Sequence, residues 1–344
     1  MSKPGENMFR EISEIPKMLV RIAAYFEQNV EARELINKNQ FNSVVLLGRG
    51  TSDNAAHFFK YLIETKLGLP CGLASPSAAT MYSPTFHYRN TLVIALSQSG
   101  QSSDLLAFAS AAKEGGGYIL GITNDENSPL AKLSHLHLPI LAGPEIAVPA
   151  TKSYVGQLFI SLLLATTWEK ENIDFPELFQ AAHEAVRSDA EVKLFASGVD
   201  IKKPIYVLGR GFSYPNAKEF ALKLQETCLI PVQGMSSSDF LHGPIASLHS
   251  DSQVIFLAPH HLPKNSFGEA PERVRAITGR ALWIGSKDFV KDSDIFLHTP
   301  YVNSETKACV SDAIVFQKIT HVVAVANQLD PDKPRGLSKI TITK

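Results

Sequence analysis

Cysteine is scarce in this chain: three residues in 344, at Cys71, Cys228 and Cys309, with no CxxC pair and no metal-ligand spacing. That excludes a disulfide framework and a thiolate metal centre, and it suits a reducing compartment. Long apolar runs are also missing. SLLLATTW at 161–168 comes nearest, and even with the preceding Leu158-Phe159-Ile160 it is bounded by Gln157 and Glu169, whereas a bilayer span needs about 20 apolar residues. The opening MSKPGENMFREISEI is charged and has no apolar centre, so it does not read as a secretory signal. Neither charge dominates: 33 Lys and Arg stand against 34 Asp and Glu, a net −1. No basic stripe is present to hold nucleic acid or an anionic membrane. A Gly-Lys-Ser/Thr phosphate loop and a GxGxxG fingerprint are both absent. The expectation is a cytoplasmic protein without metal or redox cofactor, gripping a small molecule through a few local groups.

What the chain does contain is a passage written twice, LLGRGTSDNAAHFFKYLIET at 46–65 and VLGRGFSYPNAKEFALKLQET at 207–227. Gly48 and Gly209 open the match, Asn54-Ala55 and Asn216-Ala217 continue it, and Glu64-Thr65 and Glu226-Thr227 close it, the second copy having gained one residue. Several matches in one order, each in a strand–turn–helix pattern, mark a duplicated α/β module. A length of 344 residues suits two domains, and 44% apolar residues can fill two cores.

Helical spacing of Ile12, Ile15, Leu19, Ile22, Ala23 and Phe26 predicts a helical lead-in over 1–38, broken near Pro16. A first module is expected over 39–172, with apolar strands at 43–48, 91–97, 118–123 and 137–141 and helices at 53–67, 101–114 and 150–171. A connecting helix over 173–198 follows. The second module, 199–330, repeats the plan, with strands at 204–209, 252–258, 281–286 and 294–299 and helices at 214–229, 266–278 and 306–329. Continuous apolar strands alternating with helices give the fold class: α/β, each module a parallel sheet flanked by helices in a flavodoxin-like or Rossmann-like three-layer sandwich. Residues 331–344, PDKPRGLSKITITK, carry two prolines, a glycine and basic side chains, and read as a tail laid over the surface.

In open parallel sheets, ligands gather beyond the carboxyl ends of the strands. Gly48-Arg49-Gly50-Thr51-Ser52 follows the first strand, and Ser97-Gln98-Ser99-Gly100-Gln101-Ser102-Ser103 follows the next strong one. Glycine lets the backbone approach an anion, a helix N-terminus offers unpaired N–H groups, and hydroxyls complete the cradle. The first loop taken alone also fits plain helix capping. The density of hydroxyls in the second loop points to a monophosphate. The second module keeps Gly209-Arg210-Gly211, but Ala-Pro-His-His follows its next strand where the first module has serines. It carries Lys223 and Glu226 three apart on one helix face, which taken alone describes a surface ion pair. His242 then precedes Gly243-Pro244 on a turn, a poor place for a core histidine.

Together GTS after the first strand, SQSGxS after the next, ALKLxE in the second module, LHGP behind it, PRGLSKITIT at the C-terminus and the EIxEIP opening (Glu11 to Pro16) resemble the sugar isomerase (SIS) family over nearly the whole chain. Within it the motifs are most similar to the isomerase half of glucosamine-6-phosphate synthase and to stand-alone glucosamine-6-phosphate deaminases. The resemblance implies that Ser52, Ser97, Gln98, Ser99 and Ser102 hold a 6-phosphate, with Gly50, Thr51 and Val148 beside the phosphate or sugar. Where Ser102 stands the family more often has threonine, which keeps the hydroxyl. Glu226 then matches the carboxylate that moves a proton between C2 and C1 of the open-chain sugar, and Lys223 its neighbouring lysine. His242 matches a ring-opening histidine that reaches the partner subunit's site in a homodimer. Lys339 matches a lysine that contacts the open-chain sugar, from a tail lying over the active site. The segment AVPATK at 147–152 departs from the synthase pattern, Ala150 replacing a serine that would help bind sugar hydroxyls.

Synthases precede this region with a glutaminase domain whose processed chain begins with a nucleophilic cysteine. Here the first cysteine is Cys71, inside the first module. The expected activity is therefore the reverse one, in which glucosamine 6-phosphate and water give fructose 6-phosphate and ammonia. Alternatives are a related enzyme acting on galactosamine 6-phosphate or a fructosamine 6-phosphate, a synthase-type subunit supplied with ammonia by another protein, and a non-catalytic phosphosugar-binding regulator.

Overall fold

The computed structural model describes residues 3–38, 41–171 and 175–339. They fall into two compact units, each drawn from separated stretches of sequence. One, the first-sheet unit, comprises Lys17–Glu145, Lys152–Asp174 and Ser338–Lys344; the other, the second-sheet unit, comprises Met1–Pro16, Ile146–Thr151 and Phe175–Leu337.

The chain opens with α1 (Glu6–Ser13), α2 (Ile15–Gln28) and α3 (Val30–Lys38). Ile12, Ile15, Leu19, Ile22 and Phe26, the periodic apolar positions, are all buried. Pro16 sits in the first turn of α2, where an N–H would have no intrahelical partner. A second break at Asn29 was not expected. Its side-chain oxygen accepts from Ala32 N at 2.9 Å, so a short polar side chain starts α3 afresh. The start of α1 is tied to the far end of the chain: Asp332 accepts from Asn7 N at 2.9 Å and Met8 N at 2.8 Å. A carboxylate there satisfies unpaired donors and opposes the helix dipole.

The first-sheet unit runs β1 (Ser43–Leu47), α4 (Thr51–Leu62), β2 (Cys71–Leu73), α5 (Ser77–Tyr82), β3 (Thr91–Ser97), α6 (Ser103–Glu114), β4 (Tyr118–Thr123), α7 (Pro129–Leu133), β5 (Leu136–Pro139) and α8 (Lys152–Trp168). All strand pairs are parallel, in the order β2-β1-β3-β4-β5. Every residue of β3 is buried, as its uninterrupted apolar sequence requires of a central parallel strand. Helix α8 is buried nearly all round and packs on α4, so the apolar stretch 161–168 is the core-facing end of a central helix.

The second-sheet unit continues with α9 (Pro176–Arg187), α10 (Asp189–Ala196), β6 (Ile205–Gly209), α11 (Ser213–Cys228), β7 (Val232–Ser236), α12 (Ser237–Leu241), β8 (Gln253–Ala258), α13 (Ala270–Thr278), β9 (Leu282–Gly285), β10 (Ile295–His298) and α14 (Glu305–Ala326). Its parallel strands lie in the order β10-β9-β8-β6-β7. From the other edge this is the same winding as in the first sheet, so the duplication holds for topology as well as for letters. The single connecting helix of the sequence reading is two helices, α9 and α10, meeting at Ser188. Helix α14 is the one helix among the described residues long and apolar enough to cross a membrane, and 83% of its apolar window is buried inside the protein.

The duplicated glycines have a packing cause. A Cβ on Gly48 would lie 2.7 Å from the Ser52 backbone, and one on Gly209 would lie 2.4 Å from the Ser213 carbonyl oxygen. In both modules the first helical turn packs directly onto the strand end, and any side chain there would push it off.

Candidate active site

In the first-sheet unit the strand order reverses between β1 and β3, the point where a flavodoxin-like sheet opens a crevice. The two serine-bearing loops are those that leave these neighbouring strands. Gly50, Thr51 and Ser52 form the turn into α4, with Gly50 at φ 52°, a left-handed conformation that favours glycine. Ser97 ends β3, and its hydroxyl accepts from Gly100 N at 3.0 Å; the Ser99 hydroxyl accepts from Gln101 N at 3.3 Å. Ser102 is the N-cap residue of α6, yet its side chain makes no capping bond. A helix N-terminus beside hydroxyl-bearing residues can receive an anion, although here the Leu105 N–H already donates to Asp104 Oδ1 at 2.9 Å. Arg49 Nε donates to Asp104 Oδ2 at 2.8 Å, linking the first loop to the first turn of α6. From α8, Gln157 Nε2 donates to Ser52 Oγ at 3.0 Å, fixing that buried hydroxyl from below.

The segment between β5 and α8 carries further polar groups. Within the first-sheet unit, Glu145 accepts from Ser153 N at 3.0 Å and Ser153 Oγ at 2.8 Å, and Lys339 Nζ donates to it at 3.1 Å. Within the second-sheet unit, Glu11 of the EIxEIP motif accepts from Ile146 N and Ala147 N. Next to them the partly buried Val148 donates its N–H to the Asp332 carbonyl at 3.0 Å.

Also in the second-sheet unit, α11 carries the acid–base candidates. Lys223 is not part of a surface pair: its side chain is 0% exposed, and its ammonium is bonded to Glu226 and lies 3.5 Å from Glu219 Oε1. Burial alone would push the Lys223 ammonium down. The carboxylates of Glu226 and Glu219 outweigh burial and hold it above the ordinary lysine value. Glu219 is fully enclosed, whereas the Glu226 side chain keeps 22% exposure. Glu226 is therefore the member of the trio open to a ligand. His242 is the C-cap residue of α12, exposed, and its ring makes no hydrogen bond among the described residues.

The second copy of the glycine turn differs in its surroundings. Gly211 repeats the backbone of Gly50, at φ 57°. A Cβ on Gly50 would meet open space, whereas one on Gly211 would lie 3.5 Å from Glu305 Oε1. Burial pushes the Glu305 carboxyl up to about 7, opposed by the Phe212 N–H that donates to it. A carboxyl group of the protein itself thus occupies the position that the first copy leaves open.

The chain matches the family model described as SIS domain twice, over residues 38–167 and 201–321. The chain belongs to the SIS domain family. It is 30% identical to the glutamine–fructose-6-phosphate aminotransferase (isomerizing) of Pyrococcus horikoshii, covering 96% of this chain and 57% of that protein. It is 31% identical to the enzyme of that name from Salmonella typhimurium, over 91% of this chain and 53% of the relative. This SIS chain thus spans a little over half the length of these curated relatives. Among solved structures it is similar to the C-terminal domain of glucosamine-fructose-6-phosphate aminotransferase from Francisella tularensis, with TM-score 0.85 and 25% identity over 96% of this chain and 98% of that one. Glucosamine-6-phosphate deaminase from Thermotoga maritima shares the SIS fold, with TM-score 0.76 and 22% identity over 98% of this chain and 100% of that one.

Sequence reasoning passed over four groups in these surroundings: Asp104, Gln157, Glu219 and Glu145. Glu219 was findable, since it stands four residues before Lys223 and shares its helix face. Asp104, in the first turn after the serine loop, carried a similar local signal. Gln157 and Glu145 gave none, because their partners Ser52 and Lys339 lie 105 and 194 residues away.

Proposed function

We propose that the chain is an amino-sugar-phosphate deaminase that converts glucosamine 6-phosphate and water to fructose 6-phosphate and ammonia. The observation that carries this reading is the Glu219–Lys223–Glu226 trio, a buried cation held between two carboxylates, one of which remains open to a ligand. In the proposed sequence His242 moves a proton at the ring oxygen to open the sugar. Glu226 takes the proton from C2 and returns it to C1 while O1 gains a proton and the C2 nitrogen gives one up, so the aldose becomes a C1 alcohol and the C2 amine becomes an imine. Water adds to that imine, and ammonia leaves. One carboxylate serves both transfers when it lies along the C1–C2 edge. The ammonium of Lys223 stabilises the negative charge that develops at O1 as C2 loses its proton.

Supporting the phosphate assignment, Ser52, Ser97, Gln98, Ser99 and Ser102, with Gly50 and Thr51, lie on the two segments that follow the neighbouring strands β1 and β3, and Ser102 is the N-cap residue of α6. Phosphate binding supplies remote energy that aligns the reacting carbons. Lys339 is proposed to meet the open-chain sugar, Val148 to lie beside it, and exposed His242 to act in the site of a second copy within a homodimer. The direct test is ammonia release by the purified protein from glucosamine 6-phosphate, galactosamine 6-phosphate and a fructosamine 6-phosphate in parallel. Turnover of the first is expected to exceed that of the others. No ammonia from the first overturns the deaminase reading, and turnover of another alone reassigns the substrate.

A further inference from the structure

We infer that Glu145 is the positioning residue for the C-terminal tail, seating Lys339 in the first-sheet unit; this rests on the proposal that Lys339 meets the open-chain sugar. Both oxygens of Glu145 are committed. Oε1 accepts from Ser153 N, and Oε2 accepts from Ser153 Oγ and from Lys339 Nζ at 3.1 Å. The Glu145 side chain is 0% exposed and that of Lys339 25%. One end of the pair is thus enclosed and hydrogen-bonded, and the other is partly exposed. Ser153 lies in the first turn of α8, so the carboxylate rests at the positive end of a 17-residue buried helix. That helix end fixes where the negative charge stands, and the charge fixes where the ammonium can stand.

The lysine needs such an anchor for a physical reason. A lysine side chain has a long flexible stem, and fixing its ammonium in one place costs rotamer entropy. A buried, doubly hydrogen-bonded carboxylate removes much of that cost in advance, because a charge-assisted bond to a desolvated anion is stronger than an exposed ion pair. Ser338 and Lys339 belong to the first-sheet unit, whereas the chain up to Leu337 belongs to the other. The Lys339–Glu145 pair joins residues 194 apart in sequence.

Glu145→Gln tests the inference. The amide keeps an acceptor for Ser153 N but loses the charge. Tryptic cleavage after Lys339, read as loss of ITITK by mass, is expected to accelerate about tenfold, while hydrogen exchange along α8 stays at the wild-type rate. Glu145→Asp, which keeps the charge, should recover part of the protection. In activity, kcat should fall with KM for the phosphosugar nearly unchanged, and Glu145→Gln placed on Lys339→Ala should cause no further loss. Wild-type cleavage rates in Glu145→Gln, or losses that multiply in the double variant, overturn the inference. Should Glu145→Gln fail to fold, Lys339→Met carries the test: hydrogen exchange over residues 333–338 must rise about tenfold, and unchanged exchange overturns it. The proteolysis and exchange readouts need no turnover, so a failure of the deaminase reading leaves this inference separately decidable.

Discussion

At the scale of single residues, the chemistry proposed for the second-sheet unit turns on a lysine that water does not reach. Lys223 is balanced by two carboxylates of unlike exposure, and each is expected to fail in its own way. Replacing Glu226 with Gln removes the proposed proton carrier but keeps its shape. Steady-state assays should show kcat reduced by roughly 10²–10⁴-fold at near-normal KM. Near-normal turnover would remove Glu226 from the proton-transfer role. Lys223→Met instead leaves the enclosed carboxylate of Glu219 uncompensated, and urea unfolding should show about 3–5 kcal/mol of lost stability. Adding Glu219→Gln should return part of that loss; if it deepens the loss, the buried trio is not what holds this helix face. The sequence showed Lys223 and Glu226 on one face. It could not show burial, because an i,i+3 ion pair is written in the same letters on a surface and in a core.

At the scale of elements, strands and helices were legible where a whole element is buried and obscure where it lies at an edge. The expected strands correspond to β1, β3, β4, β5, β6, β8, β9 and β10, most of them continuous apolar runs. The two missed strands, β2 and β7, are the same edge strand in each sheet, short CGL and polar VQGMS. An edge strand has only one paired side and needs less apolar sequence, so its letters resemble those of a loop. Helix α14 was visible as a helix, but not what it buries. Asp312 is enclosed there, and burial pushes its carboxyl from the usual 3.8 up to about 7, with Thr299 opposing. The folded state therefore holds this proton more tightly than the unfolded chain does. The resulting stability is full below pH 3.8, falls by about 1.4 kcal/mol per pH unit toward 7, and is gone above that. Glu305, on the same helix and also pushed up to about 7 by burial, adds to the same window. Thermal unfolding from pH 5 to 8 should show the wild type losing stability relative to Asp312→Asn up to about pH 7, then running parallel to it. Parallel curves throughout would mean that Asp312 is not strained by its burial.

At the scale of the whole molecule, the proposed role of His242 in the site of a second copy can be tested by mixing subunits. Glu226→Gln and His242→Ala chains, each inactive alone, should regain part of the activity when exchanged into mixed dimers. No recovery after confirmed exchange would mean that each site is built within one chain. The sequence by itself determined that the chain is a duplicated α/β protein of the SIS family, because a repeated strand–turn–helix passage and the periodicity of apolar runs are local properties of the letters. It also singled out the two loops proposed to hold phosphate, since glycine, hydroxyls and a following helix lie within a few consecutive residues. What only the tertiary structure decided are the pairings between distant positions and the depth of each charge. Gln157 beneath Ser52, Glu145 beneath Lys339, Glu305 in the second glycine turn and the enclosure of Lys223 all depend on which strands become neighbours and which helix faces are covered. Those are settled by packing over a hundred residues of separation, where the sequence carries no local record.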